Sequence, residues 1–147
     1  MSSDDTNKIT FAQVPHTILM VRPVSFGFNP ETAASNAFQK QPELSDHVPE
    51  IAREEFDRVV QILKDRGISV MVVEDTPMPI TTDAIFPNNW ITTHEDGKVI
   101  LYPMMAASRR HERRSDIVDM LQKRFVVNEV IDFTTGENSN KYLEGTG

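Results

Sequence analysis

Apolar positions along this chain come in short runs separated by polar, glycine- or proline-marked breaks, and their period changes from run to run. His16 to Val21 is a nearly continuous apolar stretch ahead of Arg22-Pro23, which suits a buried strand. Val48 to Arg66 has helical spacing. Val48, Ile51, Ala52, Phe56, Val59, Val60 and Leu63 recur at steps of three and four, Pro49 lies near the start, and Gly67 follows the last basic residue. Ser45 or Asp46 is the expected cap of that helix. Ile68 to Val73 then reads as a β-branched strand, so strand, crossover helix and strand form one parallel unit.

The second half repeats this grammar. Ile85 to Thr93 and Val99 to Tyr102 flank Glu95-Asp96-Gly97-Lys98, where Asp-Gly between apolar runs marks a hairpin. Arg109 to Arg124 is a predicted helix with Ile117, Val118, Leu121 and Phe125 on its apolar face. Val126 to Phe133 is a predicted strand, Thr134 to Asn140 a polar turn, and a last strand is expected to begin at Lys141 or Tyr142. Residues 1–15 read as a disordered or extended tail, and residues 16–147 as one α/β unit. The stretch Val24 to Asp46, rich in Asn, Ser, Pro and Gly but carrying Phe26, Phe28 and Phe38, reads as an ordered binding loop.

Composition narrows the function. With 15 basic and 22 acidic residues among 147, the net charge of −7 disfavours broad contact with nucleic acid or an anionic membrane surface. No apolar run reaches the length of a bilayer span, and the first residues lack the layout of a secretory signal, so a cytoplasmic protein is expected. There is no cysteine, hence no disulfide, no thiolate metal site and no thiol nucleophile within these residues. No metal or organic cofactor is implied.

Three clusters carry candidate chemistry: Phe86-Pro87-Asn88-Asn89-Trp90, Ser108-Arg109-Arg110-His111-Glu112, and Leu143-Glu144-Gly145. Each lies at a predicted strand end or helix start, where polar side chains can converge at a sheet edge. Each also has a plainer reading. The Asn pair suits a turn, Arg109, Arg110, Arg113 and Arg114 suit a solvated helix face paired with Glu112 and Asp116, and Glu144 suits an exposed strand end. His16, His47, His94 and His111 are expected at the surface. His111-Glu112 lacks the second ligand of a zinc-protease helix, because position 115 is Ser.

Taken together, and in this order, the clusters resemble the guanidine-modifying, or amidinotransferase, superfamily with the pentein fold. That group includes arginine deiminases, dimethylarginine dimethylaminohydrolases, amidinotransferases and a citrulline-utilisation hydrolase branch, to which the chain is most similar. The resemblance rests on Val21-Arg22-Pro23, the string from Phe26 to Asn36, Phe86 to Trp90, and Leu143 to Gly147. It implies an α/β fold, a partial pentein propeller holding about half of the five strand–helix units. The implied chemistry is attack by a cysteine thiolate on the central carbon of a guanidino or ureido amino acid, with a histidine moving protons and a carboxylate orienting it.

By the same resemblance, Glu144 is the carboxylate partner of the catalytic histidine, while Asn88, Asn89, Arg109, Phe28 and Asn29 are substrate-binding residues. Asn89 falls where the superfamily places an acid that clamps the head group. An amide offers a donor and an acceptor without charge, so it suits a neutral ureido group, as in citrulline, better than a cationic guanidinium. Arg109 falls where an arginine grips the substrate α-carboxylate, and the Phe26 to Asn36 loop where a lid covers the pocket. The family's histidine and cysteine follow the Leu-Glu-Gly turn, so the chain is expected to be the front part of such an enzyme, its final glycines awaiting residues beyond. Two other readings stay open at this point: a non-catalytic truncated pentein module, and a fragment that binds a small amino acid. Exposed edges of a partial propeller make a homo-oligomer one expected state.

Overall fold

The structure is a computed structural model that describes residues 15–33 and 47–145. The tail expected over residues 1–15, the candidate caps Ser45 and Asp46, and the far end of the Phe26 to Asn36 loop fall wholly or largely outside those residues.

Two strand–helix–strand units follow one another. In the first, β1 (Thr17–Arg22) and β2 (Ser69–Glu74) pair in parallel from Thr17 opposite Ser69 to Arg22 opposite Glu74, with α2 (Val48–Asp65) as the crossover. A short helix, α1 (Pro30–Ala33), lies between β1 and α2. Parallel neighbours cannot be joined by a tight turn, so the helical period between the two apolar runs dictates this arrangement. The second unit is a three-stranded sheet in the order β3 (Ile91–Thr93), β4 (Lys98–Leu101), β5 (Glu129–Asp132). There β3 and β4 form the expected hairpin, and β4 pairs in parallel with β5 across α3 (Ser115–Arg124). Gly97 is required in the hairpin: its φ is +79°, and a Cβ there would lie 2.6 Å from Asn128 Nδ2.

One core joins the units. Val21 and Met71 from the first sheet meet Ile91 and Val99 from the second, with Trp90 just before β3, Met104, and the α3 residues Ile117 and Leu121. Trp90 and Met104 are almost fully buried. On α2 the buried residues are Phe56 and Val60, whereas Ile51, Val59 and Ile62 are about half exposed. The helix therefore buries a narrower stripe than its sequence spacing suggests, because a two-stranded sheet offers it little width.

Four element boundaries differ from expectation. The strand expected over Ile85 to Thr93 is β3 alone. Pro87 opens a 3₁₀ turn, Pro87–Asn89, in which Asn89 N–H donates to Phe86 O and Trp90 N–H to Pro87 O. The helix expected over Arg109 to Arg124 is split into a 3₁₀ turn, Ser108–Glu112, and α3, with Arg113 and Arg114 extended between them. The arginines diverge because their partners do. Arg113 bonds Glu137, Arg114 donates to the Glu74 carbonyl and pairs with Asp116, and Arg109 turns inward. The strand expected from Val126 to Phe133 is confined to Glu129–Asp132. No strand begins at Lys141 or Tyr142. The segment runs as irregular chain pinned by Leu143 N–H to Pro103 O and Gly145 N–H to Asn89 O. The helix α2 starts after His47, which makes no side-chain cap.

Candidate active site

Three predicted site residues from separate segments meet. Asn89 ends the 3₁₀ turn that Pro87 starts, and the burial of Trp90 beside it fixes where that turn sits. Arg109 projects from the 3₁₀ turn Ser108–Glu112 into the interior. Its Nη2 donates to Asn89 Oδ1 at 3.2 Å, and its Nη1 lies 3.8 Å from Glu144 Oε2. Asn89 Nδ2 closes the triangle by donating to Glu144 Oε2 at 3.0 Å. Asn89 thus uses its amide oxygen toward the cation and its amide nitrogen toward the carboxylate, the two-sided bonding that its side chain permits.

Gly145 makes this placement possible. Its N–H bonds Asn89 O at 2.9 Å, so the chain lies flat on the Pro87–Asn89 turn. A Cβ at 145 would collide with the Asn88 carbonyl oxygen and lie 3.0 Å from Thr92 Cγ2. Only glycine allows that approach, and the approach presents Glu144 to Asn89 and Arg109. Asn88 contributes this backbone carbonyl, while the residue itself is exposed.

The segment expected to lie over the pocket joins the cluster through Asn29, which is buried. Asn29 Nδ2 donates to Asp83 Oδ2 at 2.7 Å and to Ser108 Oγ at 3.3 Å. Glu31, in α1, accepts from Ser108 N–H at 3.0 Å and Ser108 Oγ at 2.9 Å, and these bonds hold its carboxyl below the usual range. Phe28 is half-buried beside Asn29 and is not tied to the triangle by a hydrogen bond. A cavity of about 400 Å³ opens between α1 and the 105–107 segment, lined by Glu31, Thr32, Met105, Ala106, Ala107 and Glu144. That size suits an amino acid. A second cavity, of about 300 Å³, lies beneath the 94–97 turn against Leu121 and Phe125, away from this chemistry.

Three buried acids, Asp75, Asp83 and Glu112, were not among the predicted site residues. Asp83 is 7% exposed and lies 3.8 Å from Arg109 Nε. It is the only charged residue between Thr76 and Thr93, a signal that could have singled it out. Glu112, part of a candidate cluster whose plainer reading was a solvated face, is 4% exposed and grips Arg109 on two nitrogens, Nε at 3.0 Å and Nη2 at 2.9 Å. Burial pushes the Glu112 carboxyl up to about 7, with Asp83 and Asp75 adding to the rise and Arg109 opposing it. Burial also disfavours the Arg109 cation, but Glu112, Asp83 and Glu144 outweigh it, so its pKa is raised and it stays charged. One cation thus stands among three carboxylates, leaving the site with an excess of acid.

Among the described residues, no group of three or more His, Asp or Glu is arranged to hold a metal ion, and no helix is long and apolar enough to cross a membrane.

The fold is similar to that of solved structures. One, a dimethylarginine dimethylaminohydrolase variant in adduct with S-methyl-L-thiocitrulline, matches with a TM-score of 0.59 at 15% identity, over 88% of this chain and 44% of that one. Another, a cysteine-to-serine mutant of the Pseudomonas aeruginosa enzyme complexed with citrulline, matches at 0.54 and 17% identity, over 79% of this chain and 40% of that one. At this identity they show the fold, a partial pentein, and the chain spans less than half the length of either. Among curated proteins, none matches. The family model for N,N dimethylarginine dimethylhydrolase, eukaryotic, matches residues 22–147, nearly the whole chain. The chain, with its two strand–helix units and the Asn89–Arg109–Glu144 triangle at their edge, belongs to the N,N dimethylarginine dimethylhydrolase family.

Proposed function

We propose that this chain supplies the substrate-binding side of a hydrolase acting on the C–N bond of a guanidino or ureido amino acid. The observation that carries this reading is the mutual bonding of Asn89, Arg109 and Glu144 beside an amino-acid-sized cavity. Glu144 orients the proton-transferring histidine, Asn89 meets the head group, and Arg109 serves the substrate's α-carboxylate by turning its Nη1 edge, which faces Glu144 at 3.8 Å, toward the ligand. Asn29 braces Asp83 and Ser108 through its amide, Phe28 precedes it in the chain, and Asn88 shapes the turn that carries Asn89. The nucleophilic thiolate comes from outside these 147 residues, which contain no cysteine.

Two head groups compete. The uncharged amide of Asn89 favours a citrulline-like ureido group, whose C=O and N–H it can match. The excess of acid contributed by Asp83, Glu112, Glu144 and Glu31 favours a cationic guanidinium, as in arginine or a methylated arginine. The physical test is calorimetric binding of L-citrulline, L-arginine and Nω,Nω-dimethyl-L-arginine to the 147-residue chain. At least one is expected to bind, Asn89→Ala is expected to weaken it about tenfold, and no ligand is expected to be turned over. Failure of all three to bind would remove the reading.

A further inference from the structure

Arg109 has more acidic neighbours than it can serve equally. Glu112 takes its Nε and Nη2, Asp83 waits 3.8 Å from Nε, and Glu144 waits 3.8 Å from Nη1. A long side chain among several anions has no single direction unless one partner fixes it. Glu112 does so with a two-point fork, the geometry that sets the plane of a guanidinium as well as its distance. Both side chains are nearly sealed from water, at 7% for Arg109 and 1% for Glu112. A buried pair of this kind is costly to desolvate and adds little net stability over an apolar pair. Its effect here is directional: with the Nε–Nη2 edge held, Nη2 still reaches Asn89 Oδ1 at 3.2 Å and Nη1 is left toward Glu144.

We propose that Glu112 is a positioning residue of the candidate site, holding the Arg109 guanidinium in the plane that engages Asn89 and faces Glu144, and that protonation of Glu112 releases that hold. The proposal rests on the reading of Asn89, Arg109 and Glu144 as a ligand site. The groups that bear on the charge of Glu112 are Arg109 from its own turn, Asp83 from the segment before Pro87 and Asp75 just after β2, while Glu144 acts on Arg109. Only Arg109 favours the carboxylate form, and the carboxyl is pushed up to about 7 by burial. A protonated Glu112 loses one arm of its fork. Arg109 then swings toward Asp83 or Glu144, and Asn89 loses a partner on its oxygen side.

The test uses the ¹⁵N-labelled 147-residue chain. The Arg109 Nε–Hε resonance is followed through neutral pH in the wild type, Glu112→Gln and His111→Asn, the last removing the exposed imidazole next in sequence. In parallel, binding of L-arginine and L-citrulline is measured on either side of the midpoint. The Arg109 signal is expected to step with a midpoint near 7 in the wild type and in His111→Asn, and to stay flat in Glu112→Gln. At the alkaline end Glu112→Gln should bind about tenfold more weakly, and the wild type should weaken toward it at the acid end.

A flat Arg109 signal in the wild type, or a step that survives in Glu112→Gln, overturns the proposal. So does an affinity unchanged by the substitution, with the ligand-site reading left intact. Should neither ligand bind the wild type, that reading fails and the positioning role falls with it. If Glu112→Gln does not fold, the wild type decides: a pH-independent affinity overturns the proposal.

Discussion

Asn89 and Glu144, 55 residues apart in sequence, are joined by a hydrogen bond of 3.0 Å from the amide nitrogen to the carboxylate. Each belongs to irregular chain, one to a 3₁₀ turn and the other to the segment that closes over it. Neither residue could hold that position alone. Trp90 anchors the first segment in the core, and the Gly145 N–H anchors the second on the Asn89 carbonyl. The geometry of the site is therefore set by backbone contacts next to the functional side chains.

Gly145→Ala tests that dependence. A methyl group at 145 collides with the Asn88 carbonyl and crowds Thr92 and Tyr102, so the segment must lift and carry Glu144 away from Asn89. The expected outcome is a loss of about 1–3 kcal/mol in chemical denaturation, together with weaker ligand binding. A variant with wild-type stability and an unchanged Asn89 side-chain amide resonance would show that the close approach does not matter.

Stability should fall as pH rises through neutrality. The Glu112 carboxyl has a folded-state value of about 7 against an ordinary 4.5, so the protonated form favours the fold. Its contribution is full below about 4.5 and fades as pH climbs through about 7, a change of roughly 3 kcal/mol. Asp57, Asp116 and Glu137, whose values are lowered, act in the opposite sense, and their stabilisation is lost only in acid, as pH falls through those lowered values. Urea midpoints measured across this range should decline toward alkaline pH in the wild type and flatten in Glu112→Gln. A midpoint that rises with pH through neutrality would contradict the assignment.

How far the sequence carried depended on whether the deciding contacts were local. The β1–α2–β2 unit was legible because a shift from a short apolar run to a 3.6-residue period and back is written in adjacent residues. The hairpin was legible because Asp96-Gly97 fixes its own geometry. The break at Arg113 and Arg114 was hidden, since its causes, Glu137 and the Glu74 carbonyl, lie far away along the chain. The inward role of Glu112 was hidden for the same reason. On a helix it would face solvent with the arginines, but the 3₁₀ turn rotates it inward with Arg109. Of the site, family-like motifs pointed to Asn89, Arg109 and Glu144, which meet. They did not point to Asp83, whose partners Asn29 and Arg109 come together only in the fold.

Asn89→Asp should change head-group preference. The substitution keeps the side-chain shape and adds a negative charge to a site that already holds more carboxylates than cations. It also removes the N–H that bonds Glu144 at 3.0 Å, so both ligands should bind more weakly while their ratio shifts. Affinity for L-arginine relative to L-citrulline should rise about tenfold, on the order of a single partly buried charge–charge contact. An unchanged ratio of dissociation constants would mean that Asn89 does not meet the head group.

The Asn89–Arg109–Glu144 triangle is proposed to receive a guanidino or ureido amino acid. The most direct measurement is an NMR titration of the ¹⁵N-labelled 147-residue chain with L-citrulline and L-arginine, read at the Asn89 side-chain amide and the Arg109 Nε–Hε group. Saturable shifts at both groups, absent in Glu144→Ala or reduced there, are the predicted result. Shifts confined to the cavity beneath the 94–97 turn, or none at all, would contradict the account.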